Sequence, residues 1–144
     1  MILICKVIAY GSAEQLQSVE LRRKILRKPL GLDFTKEDLI DDDKQIHIGC
    51  FSGDLLIGIL LLVNKKDSEL KMRQVAVDDK VQGLGIGKTM VNFSEQWAVK
   101  NGFRIIILNA RETAVPFYLK AGYAVKSDKF NEVGIPHFLM RKEL

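Results

Sequence analysis

The chain has 144 residues, the size of one ordinary domain, and we expect a single domain spanning residues 1–144. Its hydrophobic content of 47% and charged content of 28% are typical of a globular protein whose core needs no metal or disulfide framework. The net charge of +4 is too small and too dispersed to indicate a nucleic-acid partner. Apolar runs reach only strand length, so no membrane span is predicted.

The two cysteines, Cys5 and Cys50, each lie among apolar residues of a predicted strand. Free cysteine is among the most buried residue types, so we expect two buried, reduced thiols. The cysteines have no zinc-type spacing, and no metal site is predicted. With only two cysteines a disulfide framework is not expected either, and a cytoplasmic protein is therefore the expectation.

The first half of the chain predicts a strand, two helices and a hairpin. Ser12 is expected to cap the first helix, which runs to about residue 28 and ends before Pro29. Thr35, followed by Asp38 three residues later, predicts a short second helix. The alternation of polar and apolar residues predicts the hairpin and the strands on either side of it. In chain order these strands are 2–9, 45–51, 55–63 and 69–77.

Two polar features of this half are expected at the surface. The acidic run Asp41–Asp43 is predicted to be a solvated helix end rather than a metal site. His47 alternates onto the polar side of its strand and is predicted to be exposed.

The second half predicts a long amphipathic helix that opens at Gly85 and closes at Asn101-Gly102. The apolar residues expected on its buried face are Ile86, Met90, Phe93 and Trp97. A buried strand over 104–108 ends in Asn109, and a helix over 113–121 ends at Gly122. Two closing strands follow, at 123–127 and 137–141. The element order predicts a mixed α/β sheet covered by helices.

The glycine-rich segment before the long helix is predicted to bind phosphate, because a helix N-terminus presents free N–H groups to an anion. It reads Gln82-Gly83-Leu84-Gly85-Ile86-Gly87-Lys88-Thr89. A nucleoside-triphosphate P-loop would need glycine in place of Gln82. A dinucleotide fingerprint begun at Gly83 would need glycine in place of Lys88. A P-loop would also want an acidic residue elsewhere, commonly at the end of a strand, and a dinucleotide fingerprint wants one at the end of the following strand. That strand ends in Asn109.

The spacing Gln82-x-x-Gly85-x-Gly87 resembles the pyrophosphate motif of the GNAT superfamily of N-acetyltransferases. The segment from Pro116 to Tyr123 is similar to the family's Phe-Tyr-x-x-x-Gly-Phe, and a strand precedes the loop at the family's spacing. The resemblance implies the GNAT fold, which is a mainly antiparallel sheet with a splayed parallel strand pair and helices on both faces. It also implies acetyl transfer from acetyl-coenzyme A (acetyl-CoA) to an amine by direct attack, with no metal.

The resemblance also implies roles for individual residues. Backbone groups of the splayed strand would pair with the pantetheine arm, and N–H groups of the loop would hold the pyrophosphate. Tyr118 would be the general acid that protonates the departing thiolate. The implied cofactor-binding residues are Val75, Ala76, Val77, Gln82, Gly83, Leu84, Gly85, Ile86, Gly87, Lys88 and Asn109.

The general base and the acceptor stay open at this point. Glu69, Glu132, His137 and a water chain are the candidates for the base. The basic stretch (Arg22, Arg23, Lys24, Arg27, Lys28) lies where the family builds its acceptor wall, so a solvated helix face and an anion-binding wall are both considered, and the former is preferred. A small-molecule amine is the expected acceptor. The alternatives are a protein acceptor and a non-catalytic acyl-coenzyme A sensor, and homodimers are common in the family.

Overall fold

The computed structural model describes residues 2–144, which form an eight-stranded mixed sheet with helices packed on both faces. The strands are β1 (Ile4–Ile8), β2 (Ile46–Ser52), β3 (Leu55–Lys66), β4 (Glu69–Val77), β5 (Ile105–Arg111), β6 (Ala124–Val125), β7 (Phe130–Glu132) and β8 (Ile135–Glu143). The helices are α1 (Ala13–Arg22), α2 (Lys36–Leu39), α3 (Ile86–Lys100) and α4 (Val115–Lys120). The spatial strand order is β1-β2-β3-β4-β5-β8-β6, and β7 pairs with β8. Every pair is antiparallel except β4–β5, so the predicted mixed α/β fold with a parallel strand pair is confirmed.

Both predicted helix starts in the first half are confirmed by their caps. The Ser12 side chain accepts a hydrogen bond from the Gln15 N–H at 3.1 Å. Thr35 and Asp38 form a reciprocal capping box at the start of α2. The first helix changes geometry before its predicted end: α1 continues as a π-helical turn over Arg23–Arg27, and a short 3-10 turn containing Pro29 follows.

The main core lies between the sheet and α3. The face of α3 that the sequence predicts is confirmed: Ile86 and Met90 are fully buried, and Phe93 and Trp97 pack against the same core. Gly58 in β3 allows this close approach, because a Cβ at that position would lie 2.8 Å from the Met90 sulfur. A second, smaller core lies under α1 on the opposite face of the sheet, and the sheet is thus covered on both sides.

The predictions of exposure for Arg22, Asp42 and His47 are wrong. All three side chains are buried, with Arg22 at 0% exposure, because α1 and the 3-10 turn Asp42–Lys44 cover this part of the sheet. Arg22 Nη2 forms an ion pair with Asp42 Oδ2 at 2.7 Å, and Nη1 donates to Gln74 Oε1 at 2.8 Å. His47 Nε2 donates to the Asp42 carbonyl oxygen at 2.7 Å. A polar residue in a strand is exposed to solvent only where no other segment packs over that face of the sheet.

The end of the sheet also differs from the prediction. Strand β5 extends through Arg111, so Asn109 lies inside the strand rather than at its end. The short strand β7 was not predicted, and it joins β8 through a two-residue turn at Val133-Gly134. Both turn residues have positive φ, 47° and 75°, as a type I′ turn requires.

The cysteines are free thiols that face each other across β1 and β2. Cys50 is buried as predicted, whereas Cys5, on the edge strand, is half-buried. Burial, with a smaller contribution from Cys50, raises the pKa of the Cys5 thiol to about 12. Within residues 2–144, no helix is both long enough and apolar enough to cross a lipid bilayer.

Candidate active site

The site is the gap that opens where two parallel strands separate. Strands β4 and β5 pair only over residues 69–72 and 105–108. Beyond Met72 and Leu108 the two strands separate: β4 stays paired with β3, and β5 stays paired with β8. A cavity of about 860 Å³ lies between the separated strands, so the splayed pair is confirmed.

A β-bulge shapes the β4 side of this cavity. Ile59 pairs with Ala76 but Leu61 pairs with Arg73. An advance of two residues in β3 is therefore matched by three residues in β4, which thus contains one extra residue. Gln74 takes up the extra residue with φ of 51°, a left-handed conformation that is uncommon outside glycine. Its side-chain oxygen is held by buried Arg22, which fixes the bulge from the far side of the sheet.

Backbone groups of β4 beyond the bulge alternate between β3 and the cavity. The Asp78 N–H donates to the Ile57 carbonyl at 2.8 Å, so Ala76, two residues earlier, also directs its backbone groups toward β3. Val75 and Val77 direct theirs toward the cavity. The structure therefore narrows the predicted set of free backbone groups to those of Val75 and Val77, and Gln82 Nε2 already donates to the Val77 carbonyl at 3.0 Å.

The glycine-rich loop leads from β4 into the N-terminus of α3. Gly83 and Gly85 have φ of 83° and 84°, and no atom lies within 4 Å of where their Cβ atoms would be. These glycines are thus required by backbone conformation, and the space beside them is open. No side chain caps α3, and Gly85 occupies the cap position. A 15-residue helix with an uncapped N-terminus beside open space can bind an anion.

The sequence-predicted cofactor residues lie together along this cavity with one exception. Leu84 is not part of the cavity lining, and its side chain is 60% exposed. Ile86 contributes to the lining but is chiefly a core residue, and Lys88 is an exposed cation at the cavity wall.

Tyr118 on α4 also lines the cavity, and its ring is held edge-to-face by Phe117 and Tyr123 at centroid distances of 5.0 and 5.7 Å. Burial raises the pKa of the Tyr118 phenol to about 12, so the group keeps its proton at neutral pH. A buried, protonated phenol is suited to donate a proton or a hydrogen bond.

At the other side of the cavity Glu132 is held between two polar side chains. Asn109 Nδ2 donates to Glu132 Oε1 at 3.2 Å, and His137 Nε2 lies 3.4 Å from Oε2. His137 Nδ1 is 2.8 Å from the Ile135 carbonyl oxygen, which can only accept, so Nδ1 carries a proton. The other ring nitrogen, Nε2, therefore faces the Glu132 carboxylate, at a distance at which one proton can bridge the two groups.

Glu69, the other carboxylate considered as base, is not part of the cavity lining. It lies at the start of β4, where it is nearly buried and forms an ion pair with Lys66 at 3.2 Å.

Several cationic side chains of the cavity were not predicted as site residues. They are Arg27 from the π-helical turn, Lys71 and Arg73 from β4, and Arg111 from β5. Arg27 belongs to the basic stretch seen in the sequence, but nothing in the local pattern distinguishes the other three from surface charges.

Comparison with known proteins places these features in a family. Residues 20–144 match the family model described as an acetyltransferase (GNAT) domain. The protein named "Uncharacterized N-acetyltransferase YjcF" from Bacillus subtilis (strain 168) is 30% identical over 139 residues, which cover 95% of this chain and 98% of that protein. A Lactobacillus plantarum protein, whose crystal structure bears the provisional name of an N-acetyltransferase, is 26% identical with a TM-score of 0.87, covering 97% and 98%. A GNAT family acetyltransferase from Elizabethkingia anophelis, with acetyl-CoA bound, shares the fold at a TM-score of 0.75 and 17% identity, covering 99% and 98%.

Proposed function

Because this chain belongs to the GNAT acetyltransferase family and is an acetyl-CoA-dependent N-acetyltransferase, we propose that it acetylates a small-molecule amine in the cavity between β4 and β5. The observation that carries the proposal is the separation of these strands. On one side of the cavity lie unpaired backbone groups of β4 and the anion site at the start of α3. On the other side lie Glu132 and His137, which together can accept a proton. The cavity volume of about 860 Å³ is in the range of small-ligand sites.

The donor side fits acetyl-CoA. The open N-terminus of α3 and the loop before it suit a pyrophosphate. The backbone groups of Val75 and the N–H of Val77, which face the cavity, suit the amides of pantetheine, which would pair with them as an added strand does. Acetyl-CoA supplies the activated acetyl group, and the Val75 N–H, next to the bulge, would polarise the acetyl carbonyl.

Tyr118 is assigned as the general acid. It lines the cavity, is protonated at neutral pH, and can donate to the sulfur of the leaving group. The burial that raises its pKa also disfavours a thiolate beside it, so the site favours departure of a neutral thiol.

Glu132, with His137, is assigned as the general base. An alkyl amine is mostly protonated at neutral pH, with a pKa of about 10.4 for lysine-like amines, so its proton must be removed before it attacks. Glu132 is oriented by Asn109 and can pass the proton to the His137 Nε2 at 3.4 Å.

A small molecule is favoured over a protein acceptor because the acceptor side is walled. Arg111 Nη2 in β5 donates to the Leu26 carbonyl at 3.2 Å and so joins the sheet to the π-helical turn. The β7–β8 turn, with Val133, forms the opposite wall. A cytoplasmic location, where both thiols would stay reduced, fits the proposal.

The assignment of the base is tested by Glu132→Gln, assayed with whichever amine of a primary-amine panel is acetylated fastest. We expect kcat/KM at neutral pH to fall by roughly 10²–10⁴-fold, the usual contribution of a general base. The loss should shrink toward pH of about 10, because the amine then loses its proton unaided.

Glu69→Gln is the matched comparison, since it removes the rival carboxylate outside the cavity. If Glu69→Gln is the variant that loses activity, or if the Glu132→Gln deficit is independent of pH, the assignment is wrong.

A further inference from the structure

The acceptor side of the cavity carries an excess of positive charge that the catalytic assignments do not use. Four cations line it, against the single carboxylate of Glu132. None of the four forms an ion pair with another part of residues 2–144. They are Arg27, Lys71, Arg73 and Arg111.

Two of these cations converge on one backbone oxygen. Arg27 Nη1 and Arg111 Nη2 each donate to the Leu26 carbonyl at 3.2 Å. Two guanidinium groups held by one oxygen repel each other, and a surface pair would separate in water. Here Arg27 is also held against the Phe34 ring, with 4.8 Å between its guanidinium carbon and the ring centroid.

The electrostatics of the pair are those of an anion site. Burial, and then the charge of Arg27, lower the pKa of the Arg111 guanidinium, while Glu132 opposes that shift. Burial likewise lowers the pKa of the Lys71 ammonium, again opposed by Glu132. A bound oxyanion would relieve the repulsion, and guanidinium groups match carboxylate and phosphate geometry.

We propose that the acceptor is an amine carrying a carboxylate or phosphate group, which Arg27 and Arg111 bind while the amine lies beside Glu132. Lys71 and Arg73, on the neighbouring strand, add positive potential. The anion site and the base share one compartment, so a zwitterionic amine satisfies both ends. Polycationic amines are repelled by the same side chains. The inference rests on the proposed acetyl transfer and specifies its acceptor.

The test compares matched acceptors that differ in one charge. Glycine is paired with glycinamide, aminoethylphosphonate with ethanolamine, and spermidine represents the polycations. We expect at least a 10-fold higher kcat/KM for the anionic member of a pair, decreasing as salt is added. The first pair reports on a carboxylate and the second on a phosphorus oxyanion. Equal or better use of the neutral members, or of spermidine, would overturn the inference.

Arg111→Gln tests the anion site itself, with Arg111→Lys as the variant that keeps the charge. Arg111→Gln should raise KM for the anionic acceptor by about 10-fold or more, the effect of losing a charged hydrogen bond. The ratio of kcat/KM for the anionic member of a pair to kcat/KM for its neutral member should fall by a similar factor, and Arg111→Lys should recover part of that ratio. Lys71→Gln provides a second variant should Arg111→Gln fold poorly. An equal loss for both members of a pair would contradict an anion site.

Thermal unfolding with acetyl-CoA is measured first, because it separates a failure of acetyl-CoA binding from a failure of the proposed acceptor preference. If acetyl-CoA binds but no panel amine reacts, N-acetylglycine and N-acetylglycinamide are compared as ligands of the coenzyme A complex. Preferential stabilisation by the anionic product supports the site, and equal or absent stabilisation overturns it. A chain that does not bind acetyl-CoA would refute the donor-half assignments instead.

Discussion

The two sides of the cavity are built from different parts of the polypeptide. The donor side consists of backbone groups and glycines within one continuous stretch, residues 75–88. The acceptor side consists of side chains from the π-helical turn, two strands and a hairpin, which are distant in sequence. A backbone-built site can keep its ligand while its side chains change, whereas a side-chain-built site changes specificity with each substitution. The backbone conformation of the donor side requires glycines at fixed spacing, which are visible in the sequence as a motif. The side chains of the acceptor side have no such fixed spacing and form no motif.

Complete loss of the acetyl-CoA response is expected from one substitution on the donor side. Gly85→Glu places a carboxylate at the uncapped start of α3, where the open space would receive a phosphate, and it strains a backbone at φ of 84°. Wild-type protein with acetyl-CoA at about one hundred times its Kd should gain roughly 2.7 kcal/mol and several degrees in Tm. Gly85→Glu should show no such gain, as measured by thermal unfolding with and without acetyl-CoA.

Gly53→Glu is the matched control, because Gly53 also has positive φ, 60°, and open space around it but lies in the β2–β3 turn. It should lose a similar amount of stability and keep the full response to acetyl-CoA. A normal response in Gly85→Glu would locate the phosphate site elsewhere.

A second prediction concerns the buried ion pair that supports the β4 bulge. Arg22 connects Gln74 of the bulge to Asp42, and both charges are buried. Arg22→Ala should lower the free energy of unfolding by about 3–5 kcal/mol, since it leaves the Asp42 carboxylate without a counter-charge. Denaturant unfolding measures the change.

The neighbouring Arg23→Ala removes a more exposed arginine whose partners, Glu20 and Asp33, are surface carboxylates. It should cost much less than Arg22→Ala does, because solvent screens a surface ion pair. Similar losses in both variants would show that the Arg22 ion pair contributes no more than a surface pair.

The effect of the third substitution is confined to the chemical step. Tyr118→Phe should lower kcat by about 10²-fold, roughly 2.7 kcal/mol of barrier, with acetyl-CoA stabilisation unchanged. Because the phenol pKa is about 12, its ionisation should not limit the wild-type rate near neutral pH.

Tyr123→Phe is the control, since that hydroxyl donates to Glu95 at 3.0 Å on the core side of α4. It should lose stability rather than turnover. Unchanged turnover in Tyr118→Phe would remove Tyr118 from the proton pathway.

The sequence by itself determined the features that depend on residues close together in the chain. Caps such as Ser12 and Thr35 bond to backbone N–H groups three residues away. The apolar face of α3 follows from its period, and the positive φ of Gly83 and Gly85 is a local requirement of the loop. These signals, with the family resemblance, were enough for the fold and for the position of the glycine-rich loop at the start of α3.

Only the tertiary structure decided which polar side chains are buried and which meet in the cavity. Arg22, Asp42 and Gln74 are joined across 52 residues of sequence, and Asn109 meets Glu132 across 23. Burial of a charge depends on what packs over it, and that cover comes from segments whose position no local pattern encodes. The acceptor side is made of such contacts, and it therefore emerges only when the strands and turns are brought together.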